Sequence, residues 1–187
     1  MGRIVVTEFV SLDGVMEHPG GAENFRHSGW SPQIDRGGGM TVKLEETMST
    51  DALLLGRATY EGFAEARPSR DGEIADKLNS IPKYVVSSTL KHPEWNNSSV
   101  LEGDLAADVA ALKEQYDGDV VVQGSAQLVQ ALIEQDLVDE LRLMVFPIVL
   151  GSGKRPFGET SDTRRLRLAE TKTVGDGVLI LTFRRQR

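Results

Sequence analysis

With 187 residues, 40% hydrophobic and 26% charged, the chain has the apolar content for one full core and not the composition of a disordered or fibrous protein. Its 21 basic and 28 acidic residues give a net charge of −7, which argues against a general binder of nucleic acid or anionic membrane, so any anionic ligand must be held locally. There is no cysteine, which removes disulfides, thiolate metal sites and a cysteine nucleophile.

The opening segment, MGRIVVTEFVSLDG, lacks the apolar core and small-residue cleavage site of a signal peptide, so a cytoplasmic protein of one domain over residues 1–187 is expected. Ile4–Val10 reads as a buried strand, and Ser11, Asp13, Gly14 and Val15 follow at its end. Asp13 is the candidate catalytic residue, a carboxylate at a strand mouth suited to relaying a proton, although an Asp-Gly pair is also a plain turn. The aperiodic, glycine-rich stretch His18 to Met40 is expected to be a lid. Its Phe25 and Trp30 would either stack on a flat heterocycle or pin the lid to the core.

A second strand, Ala52–Leu55, stops at Gly56, turns basic at Arg57 and restarts as a helix containing Thr59. Arg67 to Glu73 reads as a surface connection, and Tyr84–Ser87 as a third strand ending in the hydroxyls of Ser87, Ser88 and Thr89. Between Asp104 and Tyr116, Leu105, Val109, Leu112 and Tyr116 form one helical stripe behind a capping aspartate. Val120–Val122 is a fourth strand, running through Gln123 and Gly124 into a helix that opens near Ser125 as AQLVQALIEQ. Leu141–Val149 is the fifth, within an apolar run interrupted by Pro147 and too short to span a bilayer. Lys154 and Arg155 in GSGKRPF suit either an anion site or a solvated turn. Gly175-Asp176-Gly177 between strand patterns predicts a hairpin. Uniformly apolar strands separated by helix-length segments imply an α/β fold with a mostly parallel sheet and an antiparallel C-terminal edge.

In an open α/β sheet, ligands bind beyond the carboxyl ends of the strands, where helix N-termini present unpaired N–H groups. Gly56-Arg57, Ser87-Ser88-Thr89 and Gln123-Gly124-Ser125 all lie at such junctions. Glycine permits close approach, and Arg57 offers a donor fork matched to phosphate. The third junction is not the G-x-G-x-x-G fingerprint, so an ordinary Rossmann unit is disfavoured.

LLLGRATYEGF, YVVSSTL and VVVQGSAQLVQALI resemble, in order and spacing, the three cofactor-binding segments of dihydrofolate reductases. Where that family commonly has consecutive glycines, this chain reads Gly124-Ser125. VTEFVSLDGVM and LVDELRLMVFPIVLGSGKRPF are still more similar to the reductase domain of the bifunctional riboflavin-biosynthesis deaminase/reductase, and the likeness runs from Ile4 to Phe183. It implies a three-layer dihydrofolate-reductase-like fold, NADPH as cofactor and hydride transfer to a heterocyclic or sugar-amine substrate, with homodimers common among such proteins. It also implies that Gly56, Arg57, Thr59, Ser87, Ser88 and Thr89, with Gln123, Gly124, Ser125, Ala126, Gln127 and Leu128, meet the pyrophosphate and 2′-phosphate. Ser11, Gly14 and Val15 would then cover the nicotinamide beside Asp13. Phe9, Trp30, Lys154 and Arg155 form the expected substrate side.

The pterin-binding acid of dihydrofolate reductases has no direct match; counting back from Gly56 reaches Met40, with Asp35, Glu45 and Glu46 the nearest carboxylates. His18, His27 and His92 lack metal-ligand spacing, so no metal is expected. Ser125 lacks the G-x-S-x-G elbow and a later histidine, which disfavours a serine hydrolase.

Overall fold

The computed structural model describes residues 1–21, 25–66 and 70–186. Strand β1 (Arg3–Ser11) is followed by helix α1 (Gly39–Met48), β2 (Thr50–Gly56), α2 (Arg57–Ala66), α3 (Glu73–Ser80) and β3 (Lys83–Val86). Then come β4 (Ser98–Leu101), α4 (Leu105–Gln115), β5 (Asp119–Gln123), α5 (Ala126–Glu134), β6 (Glu140–Phe146), β7 (Leu166–Val174) and β8 (Val178–Arg185). All eight strands form one sheet in the order β4-β3-β2-β5-β1-β6-β8-β7. Neighbours from β4 to β6 are parallel, and β8 runs antiparallel to both β6 and β7. This is the dihydrofolate-reductase-like arrangement expected, with its antiparallel C-terminal hairpin.

The apolar runs explain the layers. Ile4, Val5 and Val6 are each 0% exposed because β1 is buried on both faces, as a central parallel strand requires. Ile4, Val6, Leu54, Val120 and Leu141 pack beneath Val109 and Leu112 of α4 and Val129 and Leu132 of α5. Val5, Leu53, Leu55 and Val121 meet Tyr60 of α2 and Leu78 of α3 on the other face. Asp104 caps α4 as expected, its carboxylate accepting the Ala107 N–H at 3.0 Å.

The structure changes several boundaries. β6 ends at Phe146 instead of Val149, since Pro147 has no N–H to extend a ladder. Parts of the stretch His18 to Met40 among the described residues are pinned down. Trp30 donates to the Glu17 carbonyl at 2.9 Å and sits edge-on to Phe146, while the loop near Asp35 receives the hairpin tip through Asp176 N–H to Asp35 O at 2.8 Å. α1, α3 and β4 are additions to the expected elements. The connection at Arg67 to Glu73 lies outside the described residues at 67–69, and α3 already begins at Glu73. No helix among the described residues is long and apolar enough to cross a membrane.

Candidate active site

Two of the three anticipated strand ends are tied into one unit. Gly56, at the end of β2, donates its N–H to Ser125 Oγ at 2.9 Å, and Ser125 donates its own N–H to Thr59 Oγ1 at 2.8 Å. The N-termini of α2 and α5 are thus stitched side by side across 66 to 69 residues of sequence. Gly124 and Ser125 both adopt left-handed backbone, with φ of +66° and +60°. A Cβ on Gly124 would stand 2.8 Å from Thr59 Cγ2, so glycine is required there on two counts. Ser125 tolerates the same conformation because its hydroxyl is anchored on Gly56.

Beyond this knot, the first intrahelical bond of α5 runs from Val129 N–H to Ser125 O. The N–H groups of Ala126, Gln127 and Leu128 precede it and have no acceptor within the helix, the arrangement that suits an anion. Gln127 is exposed, whereas the Leu128 side chain lies in the core and leaves only its backbone to a ligand. Gln123, the last residue of β5, pairs with Thr7 of β1. Arg57 is half exposed and its Nη1 lies 3.1 Å from both carboxylate oxygens of Glu61, a surface pair that contributes little and can open. The third segment adjoins through the pairing of Gly56 with Val86. Ser87 Oγ accepts from the N–H of Leu90 at 3.0 Å and of Thr89 at 3.2 Å, so it shapes the turn, while Ser88 and Thr89 are exposed.

The loop after β1 is organised around Asp13. Its carboxylate accepts from Ser11 Oγ at 2.7 Å and from the N–H groups of Leu150 and Gly151 at 3.1 and 2.8 Å, with Arg155 at 3.6 Å. The Ser11 hydroxyl and then those amides hold Asp13 down at about 2. Asp13, expected as the catalytic proton relay, also clasps the β1 loop to the 150s loop through these bonds. Ser11 and Val15 are similarly committed: both are buried, and Ser11 Oγ accepts the Val15 N–H at 2.8 Å. Gly14, at φ +81°, has open space around it.

On the expected substrate side, Trp30 is 1% exposed, so it is a pin in the core and not a stacking platform. Phe9 is half-buried, beside Phe146, with the cations of Arg36 and Lys43 within 5.6 and 5.4 Å of its ring centre. Arg155 donates Nε–H to the Asp13 carbonyl at 3.1 Å, and Lys154 lies 3.4 Å from Glu17, so both basic side chains already meet carboxylates. Glu46 of α1 reaches β1, accepting from Thr7 Oγ1 at 3.1 Å and pairing with Lys43 and Arg142. Asp35 merely accepts the Gly37 N–H in its own turn.

One group escaped the reading of the sequence. Glu8 interrupts the apolar run of β1, is 5% exposed, and its Oε1 has no hydrogen-bond partner among the described residues. A charge-bearing residue inside a strand buried on both faces was the available signal.

The RibD C-terminal domain family matches residues 3–180. The uncharacterized protein YyaP of Bacillus subtilis (strain 168) is 28% identical over 186 residues, covering 97% of this chain and 94% of its own. Among solved structures, a putative riboflavin biosynthesis protein from Shewanella sp. PV-4 superposes with a TM-score of 0.78 at 22% identity over 99% of both chains. A dihydrofolate reductase from Enterococcus faecalis, complexed with NADP(H) and RAB-propyl, gives a TM-score of 0.60 at 16% identity over 99% of this chain and 97% of its own. The chain therefore belongs to the RibD C-terminal domain family, on a dihydrofolate-reductase-like fold.

Proposed function

We propose that the chain is an NADPH-dependent reductase resembling 5-amino-6-(5-phosphoribosylamino)uracil reductase, acting on CH–OH or CH–NH groups of a heterocyclic or sugar-amine substrate. The observation that carries this reading is the knot of Gly56, Thr59, Gly124 and Ser125, which fixes two helix N-termini together at adjoining strand ends. Two phosphate groups of one dinucleotide suit such a pair of N–H clusters. The cradle fits the group chemically: Gly56 and Gly124 present backbone without side chain, the amides of Ala126, Gln127 and Leu128 are available, and Arg57 with the Ser88 and Thr89 hydroxyls suits a 2′-phosphate. When bound, NADPH would supply the hydride. The chain's own work is to orient the ring above β1, exclude water through the loop that carries Trp30, and bind the substrate near Phe9.

A dihydrofolate reductase reading finds one supporting feature, Glu46 reaching from α1 to Thr7 of β1. Its carboxylate is already engaged by Lys43 and Arg142, which weakens it as a pterin ligand. Localisation in the cytoplasm agrees with the absence of cysteine. A homodimer is supported by the outer hairpin, where Leu166, Leu168 and Leu179 are exposed.

Titration with NADPH and with NADH, followed by nicotinamide fluorescence, tests the cofactor, and NADPH oxidation with the pyrimidine ribosylamine phosphate tests the reaction. Selective NADPH binding is expected. In R57A, loss of a charged hydrogen bond should weaken NADPH by roughly 1–3 kcal/mol while NADH is unaffected. Equal losses for both nucleotides would remove the 2′-phosphate assignment.

A further inference from the structure

Glu8 occupies a particular place in the sheet. β1 pairs with β5 only as far as Thr7 with Gln123, so Glu8 is the first residue of β1 beyond the point where β5 turns off into Gly124. Side chains alternate along a strand, and Ile4, Val6 and Val10 face α4 and α5, so Glu8 points with them toward the start of α5. The Gly124 backbone amide lies close enough to its carboxyl group to favour the charged form, while Oε1 is buried without a partner among the described residues. Buried polar atoms are rarely left in that condition without a functional reason.

Other charges do not offset the burial. Lys43 and Glu46 of α1, on the opposite face of the sheet, act on Glu8 with opposite signs and are paired with each other. Across β6 the residue opposite Glu8 is Leu143. Desolvation, the largest influence, pushes Glu8 well above its ordinary 4.5, against the Gly124 amide and Lys43, which favour the anion.

We propose that Glu8 is a positioning residue that holds a proton beneath the Gly124-Ser125 turn, bracing the turn for a phosphate and coupling nucleotide binding to that proton. The inference rests on the nucleotide reading above. An anion at this position would face a second anion across a single turn of backbone, whereas a neutral carboxyl faces the Gly124 amide without repelling the ligand. Linkage is reciprocal: if the protonated form binds the nucleotide better, bound nucleotide raises the affinity of Glu8 for its proton. Above the pKa of free Glu8, binding therefore takes up a proton from solvent, and affinity falls by up to tenfold per pH unit, the limit for a single coupled proton.

The experiment compares NADPH affinity in wild type and E8Q across neutral to alkaline pH, with calorimetry in two buffers of different ionisation enthalpy to count protons. E8Q keeps a neutral side chain facing the Gly124 amide, so it should match wild type at neutral pH within about twofold. It should then stay flat where wild type weakens and takes up as much as one proton. Titration of the nucleotide itself is common to both proteins and cancels. A protonated-carboxyl infrared band in the 13C-glutamate-labelled wild type at neutral pH is also expected, a readout that needs neither the variant nor the ligand. Identical pH curves and proton counts in the two proteins overturn the coupling alone, and so does absence of the band. Failure of wild type to bind NADPH at any pH overturns the nucleotide reading and the coupling with it, while failure of E8Q alone overturns the role given to Glu8.

Discussion

Ser125 does with one side chain what related folds achieve with a second glycine. Its φ of +60° costs an L-residue roughly 1–2 kcal/mol, which the bond from Gly56 N–H to its hydroxyl offsets. S125A retains the strained backbone and loses the bond, whereas S125G loses the bond and relieves the strain. We therefore expect urea unfolding to rank S125G above S125A by about 1 kcal/mol, with both below wild type. A different balance governs Asp13. Its pKa falls from 3.8 to about 2 on folding, so its contribution is fully present above 3.8 and is lost as pH drops through about 2. Unfolding measured against pH should show the stability gap between wild type and D13N narrowing across that window. That Gly56, Thr59, Gly124 and Ser125 meet at strand ends was legible because a glycine or hydroxyl at a strand end carries its meaning locally. The bonds that tie Asp13 to the 150s loop were not, since its amide donors, Leu150 and Gly151, lie 137 and 138 residues away.

At the scale of elements, strands with apolar runs could be read and those fixed by polar contacts could not. β4, Ser98–Leu101, has two serines in four residues and holds its edge position through what precedes it. Lys83, at the start of β3, is 0% exposed and donates to the carbonyls of Asn79, Ile81 and Asn96 at 3.1, 2.8 and 2.8 Å, with Trp95 beneath its ammonium. It thereby joins the end of α3 to the loop that delivers β4. In sequence it passes for a surface charge flanking a strand. K83M leaves three carbonyls without their donor and should cost about 3 kcal/mol or more, measured by chemical denaturation. α1 escaped for another reason: it begins at Gly38 and Gly39, has no side-chain cap, and carries too weak an apolar stripe to stand out from the loop before it.

For the whole molecule, the fold class and the parallel order of the core were written in the periodicity, while the outer hairpin's surroundings were not. β7 is exposed along eight of its nine residues, on both faces, and nothing in its alternation says what would cover it. If two copies meet there, sedimentation equilibrium should give twice the chain mass for wild type and a single mass for L168E, with secondary structure unchanged. A wild-type monomer would count against the dimer.

The place of β1 also bears on how the protein is made. Although it leaves the ribosome before the other strands of this sheet, its lateral neighbours are β5, starting at Asp119, and β6, ending at Phe146. At roughly 5–20 residues per second, its apolar side chains wait on the order of ten seconds for partners during synthesis. Until then the nascent chain must rely on chaperones or on transient local contacts to keep Ile4–Val10 from associating elsewhere, and the nucleotide site can close only after translation has passed α5.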